Sequence, residues 1–238
     1  EGVSLSVVKA NTSPTSNVAV ASTNVLWGKF EARAAGDDLK IEQITVDVDT
    51  TPGNGMDNVR IMLNGVQVGS TQDVGGASSE TGTTFSLGSS MILKAGQTGV
   101  VEIYGDAKSA AGTNFSTTNT VDVGIAIALA DTEGVSSGDS IGSAISEVEG
   151  NSITVSSASL SGTKASGYGN QTMVAGTNSA KIGSFTLSSG STEGVNVSSI
   201  VLNLSATEAA TITDLMLKDS STGTQVGTTK SAPSTGNT

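Results

Sequence analysis

Apolar and polar residues alternate along most of this chain, in short stretches separated by Gly, Asn, Asp and Ser clusters. A period of two with turn residues roughly every ten positions is typical of β-strands joined by turns. The most regular stretch runs from Val121 to Leu129, where every second residue is apolar. The pattern predicts strands at residues 3–9, 17–33 (with a break at 22–24), 38–49, 56–64, 66–71, 83–93, 99–107 and 118–130.

Turn signals support this division into strands. Asn64-Gly65 lies between two alternating stretches and is typical of a tight type I′ hairpin, and Ala95-Gly96 predicts a second turn. Residues 132–150 are polar and rich in Gly and Ser, which predicts a linker with one short strand. No segment keeps a helical period over several turns. We therefore expect an all-β fold built from Ig-like β-sandwiches.

An internal repeat of about 150 residues is the most informative feature of the chain. The apolar positions of residues 39–48 recur in the same order in residues 195–204. Both stretches slip out of phase at the same place, after Ile41 and after Val197, which predicts a β-bulge or a corner between sheets. Other shared motifs are Gly-x-Phe at Gly28 and Gly183, Gln-Val-Gly at Gln67 and Gln225, and Glu-Gly before an alternating stretch at Glu1 and Glu149.

The second copy contains no counterpart of residues 85–129. We predict a first Ig-like sandwich at 1–131, a linker at 132–150, and a second, truncated sandwich at 151–238. Two explanations stay open, an excerpt of a longer protein and strands supplied by another subunit. The chain begins without Met and without a secretory signal, so we expect a processed product or an excerpt.

Composition excludes several function classes. The chain has no His and no Cys, and its 11 basic and 22 acidic residues give a net charge of −11. A Ser-His-Asp triad, a disulfide and a zinc–thiolate site are therefore excluded, and the negative charge opposes binding to nucleic acid. The longest apolar run, residues 124–130, is far shorter than the roughly 20 residues of a membrane helix. We expect neither a nucleic-acid partner nor a transmembrane segment.

The calcium candidates are Asp47, Asp49 and Asp57, which crowd around one predicted turn. Ca²⁺ takes six to eight oxygen ligands, so an oxygen-rich turn is a candidate site. The alternative is a solvated strand face, because Asp47 and Asp49 alternate with apolar residues. The second copy lacks these acids and carries Asn203, Ser205 and Thr213 in their places. A second acidic group near the predicted linker, for which a polar linker is the simpler interpretation, is Asp131, Glu133 and Asp139.

We expect no enzymatic activity and no cofactor other than this candidate calcium. Carboxylate pairs such as Asp37-Asp38 lie at turns and lack the aromatic platform that a sugar substrate needs. Trp27, Tyr104 and Tyr168 are too scattered to form such a platform. Strict alternation puts Trp27 and Phe30 on opposite faces of one strand, with Phe30 in the core and Trp27 at an edge or interface.

The order of motifs is shared by the two copies: a Val-Ala turn (20–24 and 174–178), the Gly-x-Phe strand, the slipped strand, and the Gln-Val-Gly hairpin, with a turn at 93–98 in the first copy. This order resembles the tandem Ig-like repeats of large secreted prokaryotic surface proteins, which include S-layer, adhesin-stalk and fibre-forming proteins. The resemblance covers nearly the whole chain and carries no catalytic residues. It implies an extracellular, cell-surface protein with a structural or adhesive role.

The expected function is a structural repeat module of an S-layer or filament, which self-associates through strand edges and domain stacking. The expected partners are copies of the chain itself, in a lattice or fibre. Two alternatives stay open. One is an adhesin or binding module that recognises carbohydrate or protein, with surface glycans as contacts, and the other is a virus tail or capsid decoration domain.

Overall fold

The computed structural model describes residues 2–51, 53–75 and 82–237. Contacts divide the chain into two compact units, Glu1–Val195 and Asn196–Thr238, and each is described by itself. Strands dominate the described residues, and the single α-helix among them has six residues. The predicted all-β fold class is confirmed.

The strands of the first unit are β1 (Ser4–Lys9), β2 (Val18–Ala19), β3 (Val25–Ala35), β4 (Leu39–Ile41), β5 (Gln43–Thr50), β6 (Met56–Leu63), β7 (Val66–Val74), β8 (Thr83–Ser86), β9 (Ile92–Leu93), β10 (Thr98–Gly105), β11 (Thr120–Ile127), β12 (Thr132–Gly134), β13 (Ile145–Glu149), β14 (Ile153–Ser156), β15 (Leu160–Lys164) and β16 (Phe185–Ser189), with a 3₁₀ turn at Leu129–Asp131. The second unit contains β17 (Asn203–Leu204), α1 (Ala206–Thr211), β18 (Leu215–Lys218), β19 (Gln225–Lys230) and β20 (Gly236–Asn237). The predicted strands of the first copy are present, and three of them are divided into two strands each.

Two sheets of the first unit face each other. One has the strand order β1-β3-β10-β6-β7, and the other has the order β2-β14-β11-β5-β8, with β13 also paired to β11. A small third sheet, β12-β4-β9, lies beside them. The inward residues of both sheets, among them Phe30, Ile103, Ile44 and Val123, belong to one buried cluster. Alternating inward residues of two antiparallel sheets make a sandwich core.

The slip in the alternation after Ile41 is a corner between sheets, as predicted. β4 pairs with β9 and β12 in the small sheet, whereas β5 begins at Gln43 and pairs with β8 and β11. Between them, the Glu42 backbone N–H donates to Asp131 C=O (2.8 Å) and the Glu42 C=O accepts from the Leu87 N–H (2.7 Å). These bonds hold the chain where it changes sheet.

Trp27 is buried, and the prediction that it lies at an edge or interface is wrong. Its side chain is 0% exposed, its indole N–H donates to the Gly105 C=O (3.2 Å), and its ring meets Phe115 edge-on at 6.5 Å. The reason is a register shift at this point of the β3–β10 ladder, where Trp27 has no partner between Leu26 and Gly28. A bulge of this kind turns an additional side chain inward.

The segment predicted as a linker, 132–150, contains β12 and β13. β12 pairs with β4, and β13 pairs with β11. β14 follows Glu149-Gly150, which the repeat matches to Glu1-Gly2 before β1. β14 pairs with β11 and β2, however, and so continues the sheet of the first sandwich. The sequence predicts one short strand in this segment, and the structure has two. The apolar residues of β13 are widely spaced because this strand meets β11 across an irregular register.

Candidate assembly surface and acidic clusters

The strand pair β15–β16 has the register of β1–β3. Lys9 pairs with Phe30 in the first copy, and Lys164 pairs with Phe185 in the second. The sequence Ser-Leu-Ser, followed two residues later by Lys-Ala, begins at Ser4 and again at Ser159. The repeat therefore extends to strand pairing, and the counterpart of β1 is β15.

The two Gly-x-Phe motifs also have the same local geometry. A Cβ atom at Gly28 would lie 3.0 Å from the ring of Phe30, and one at Gly183 would lie 3.3 Å from the ring of Phe185. Each phenylalanine ring therefore covers the glycine two residues before it. Phe185 therefore has the local geometry of the buried Phe30, although the described residues leave it 63% exposed.

The strand pair β18–β19 has the register of β6–β7. Both ladders shift register at matching points, between Val59 and Ile61 and between Leu215 and Leu217. The same side-chain clamp spans the positive-φ glycine of the second strand in both pairs: the Gln67 amide donates to the Gly69 C=O and the Thr71 hydroxyl, and the Gln225 amide donates to the Gly227 C=O and the Thr229 hydroxyl. Local sequence thus sets this hairpin in both copies.

Exposure separates the two copies. Phe30 is 0% exposed and Phe185 is 63% exposed, and the counterparts Val68 and Val226 are 2% and 48% exposed. Leu187, at the position of the buried Ala32, is 47% exposed. We call the side chains of Phe185 and Leu187 the β16 face. Core-type residues of the second copy are exposed in the described chain.

In the first copy, these positions are covered by β10 and by the facing sheet. β10 pairs with β3 on one side and with β6 on the other, with Val101 opposite both Phe30 and Leu63. Among the described residues, β16 pairs only with β15, and β18 pairs only with β19. β16 carries no charged residue and no proline, the usual protection of an exposed strand edge.

The calcium candidates Asp47 and Asp49 lie on the outer face of the β5–β11 pair. Asp49 pairs directly with Asp122, while Asp47 and Glu149 flank Gly124 on its two sides. Burial, and then the charges of Asp122, Asp47 and Asp49, raise the pKa of Glu149 above its usual value. This face is a cluster of mutually repelling carboxylates.

The third calcium candidate, Asp57, lies in the other sheet, on β6. Burial raises its pKa, and the neighbouring Asp73 and Asp106 add to the rise. Asn58 links those two neighbours, since its backbone N–H donates to Asp73 and its side chain to Asp106 (both 3.0 Å). The structure therefore brings Asp47 and Asp49 together and places Asp57 elsewhere.

No group of three or more acidic side chains in the described ranges is arranged to hold a metal ion. Of the second acidic group, Glu133 forms an ion pair with Lys40 (2.6 Å). Calcium binding stays a prediction.

Tyr168, considered above as a sugar contact, donates its hydroxyl to Lys181 C=O, and the Lys181 ammonium lies 5.1 Å from its ring centre.

The helix α1 was missed by the sequence analysis. Its signal is a capping box, Ser205-x-x-Glu208, in which the Ser205 hydroxyl accepts from the Glu208 N–H (3.3 Å) and the Glu208 carboxylate accepts from the Ser205 N–H (2.7 Å). No helix in the part of the chain that the structure describes has the length and apolar character needed to cross a bilayer.

No known protein family and no curated protein matches this sequence. Among solved structures, the CooA pilin subunit from enterotoxigenic Escherichia coli aligns with 65% of this chain and 98% of its own length. The identity is 14% and the TM-score is 0.28.

Proposed function

We propose that this protein is a structural repeat module of an extracellular cell-surface assembly, an S-layer or a filament, and that it self-associates through strand edges. The observation that carries the proposal is the contrast between Phe30 and Phe185, which share one local geometry but are 0% and 63% exposed. A large apolar side chain that has the local geometry of a core residue but is exposed to solvent indicates an interaction surface that a partner covers.

Strand addition is the mode of association that the exposed edge favours. An added strand would extend the backbone ladder of β16 and cover part of Phe185 and Leu187 in one step. Full burial of each such side chain contributes about 1.5–3 kcal/mol. Alternation then makes the contact specific, because only every second residue of the added strand meets this face.

The proposal includes no catalytic step. The chain has neither His nor Cys. The carboxyls with raised pKa values are Glu149, on the outside of one sheet, and Asp57, on β6. The charge of −11 keeps separate copies apart at low ionic strength. Salt would screen this repulsion, so assembly is expected to increase with ionic strength.

The test is the mass and shape of the full chain, by light scattering and negative-stain microscopy over a range of concentration and salt. We expect the wild type to form oligomers or filaments and Phe185→Ser to remain monomeric. A matched control is Val66→Ser, a change at a 68% exposed apolar residue on β7. A wild type that stays monomeric at high protein and salt concentration would overturn the proposal.

A further inference from the structure

The free edge of β16 presents the backbone groups of Phe185 and Leu187. The Ala165 N–H donates to Ser184 C=O (2.9 Å), and the Gly190 N–H donates to Ser159 C=O (2.8 Å). The backbone groups of Ser184 and Gly190 therefore point toward β15. Successive residues of an antiparallel strand point to opposite edges, so those of Phe185 and Leu187 point away from it.

The first copy shows what kind of strand fits this edge. β10 runs antiparallel to β3 with Gly99 opposite Ala32, Val101 opposite Phe30, and Ile103 opposite Gly28. Val101 and Ile103 are buried. The strand that covers the core phenylalanine thus places apolar side chains opposite it and opposite its glycine.

The second copy differs from the first in two ways that bear on the partner. Lys29 on β3 forms an ion pair with Glu102 of β10 (3.0 Å), whereas its counterpart is Ser184. An acidic residue at the Glu102 position would therefore lack its cation at β16. Leu187 stands where the first copy has Ala32, so the residue opposite it must be small.

We propose that the partner of the β16 edge is an antiparallel strand of the β10 type, carried by another repeat of this kind. Its pattern is a small residue opposite Leu187, a branched apolar residue opposite Phe185 and an uncharged residue opposite Ser184. This inference rests on the proposed function and names the partner of the same surface. The first copy supports this inference, because β10 pairs there with the free edge of the equivalent strand pair, β1–β3.

The test adds labelled peptides to the full chain. The binding peptide has the sequence of residues 98–105 with Glu102→Thr, and the control peptide has in addition Val101→Ser and Ile103→Ser. We expect the first peptide to bind and to slow amide exchange at Phe185 and Leu187, since those N–H groups face the free edge. The control peptide, and the chain variant Phe185→Ser, should each weaken binding at least about tenfold. The unaltered 98–105 peptide should bind more weakly than its Glu102→Thr form.

The outcomes separate this inference from the proposed function. Assembly that depends on Phe185, without peptide binding, would overturn the inference and leave the proposed function standing. Equal binding of both peptides would also overturn it. Peptide binding with the expected exchange pattern, in a chain that never assembles, would support the inference and contradict self-assembly. Trp27 is buried in the first sandwich, so its fluorescence checks that this sandwich remains folded in the Phe185→Ser variant.

Discussion

The same substitution at two repeat-equivalent positions should have opposite consequences. Phe30→Ala removes a ring that is 0% exposed in the core of the first sandwich, and Phe185→Ala removes a ring that is 63% exposed. We expect Phe30→Ala to lower the free energy of unfolding of the first sandwich strongly. Phe185→Ala should leave the monomer nearly unchanged and weaken self-association.

The magnitudes follow from burial. Phe-to-Ala changes in a packed core lower stability by about 3–5 kcal/mol, which includes the cavity left behind. Full burial of a phenylalanine contributes about 1.5–3 kcal/mol, and Phe185 has roughly a third of its surface covered, so its loss should amount to about 1 kcal/mol or less. For a chain of this size, each kcal/mol shifts the Tm by about 2–4 °C. The expected shifts are roughly 6–20 °C for Phe30→Ala and about 4 °C or less for Phe185→Ala.

Trp27 provides the assay. It is the single tryptophan of the chain and is buried, so its fluorescence reports unfolding of the first sandwich. Thermal unfolding of both variants is measured at low concentration, and light scattering at high concentration. If Phe185→Ala lowered the Trp27 transition as far as Phe30→Ala does, the Phe185 ring would be part of the first core and the reasoning from exposure would be refuted.

Two further predictions are tested by thermal unfolding. Gly69 and Gly227 have φ values of +70° and +71°, but a Cβ at Gly69 would lie 2.9 Å from the Ser86 carbonyl oxygen, while one at Gly227 meets nothing within 4 Å. Gly69→Ala and Gly227→Ala each place a Cβ on a left-handed residue, which costs about 1–2 kcal/mol. Only Gly69→Ala adds a clash, so it should lower the Tm measured by circular dichroism more than Gly227→Ala does. Equal Tm shifts for the two variants would contradict this. The raised pKa of Glu149 means that its contribution to stability is present below the unfolded value of about 4.5 and is lost as pH rises through the higher folded value. Glu149→Gln should therefore raise the Tm at pH 7 relative to wild type, with the difference vanishing near pH 4; an equal difference at both pH values would contradict the assignment.

Alternation and turn chemistry were enough to predict the strands of the first sandwich. Asn64-Gly65 has φ values of +51° and +82°, as a type I′ hairpin requires. The slip after Ile41 correctly predicted a change of sheet. These features are local: each depends on a few neighbouring residues, which the sequence displays directly.

The position of Trp27 could not be predicted from alternation, because a bulge breaks the period. Trp27 and Phe30 are three residues apart, which strict alternation places on opposite faces, yet both are buried. The available signal was Gly28 between them, since a glycine inside a strand often marks a bulge. The register shift lies between Ile103 and Tyr104 on the partner strand, far away in sequence.

The acidic residues show a similar limit. Asp49 and Asp57 are close in sequence, but the chain crosses from one sheet to the other between β5 and β6. Their neighbours therefore come from distant segments, Asp122 opposite Asp49 and Asp73 beside Asp57. Proximity along the chain indicated one cluster, whereas the sandwich separates it into two.

The two copies together indicate which parts of this fold are local. The register of β15–β16 and that of β18–β19 repeat those of the first copy, although the second copy has exposed faces. Strand pairing is therefore set within each segment, whereas burial in the first copy depends on strands far away in sequence. A two-stranded pair alone is marginally stable in water. Amide exchange in β15 and β16 should thus be fast in the isolated chain and slow in the assembly, while exchange in β3 stays slow in both. Because β15 and β16 already pair in the register of the first copy, an added strand stabilises a preferred pairing, and ordering β15–β16 on binding costs less conformational entropy than ordering an unpaired segment would.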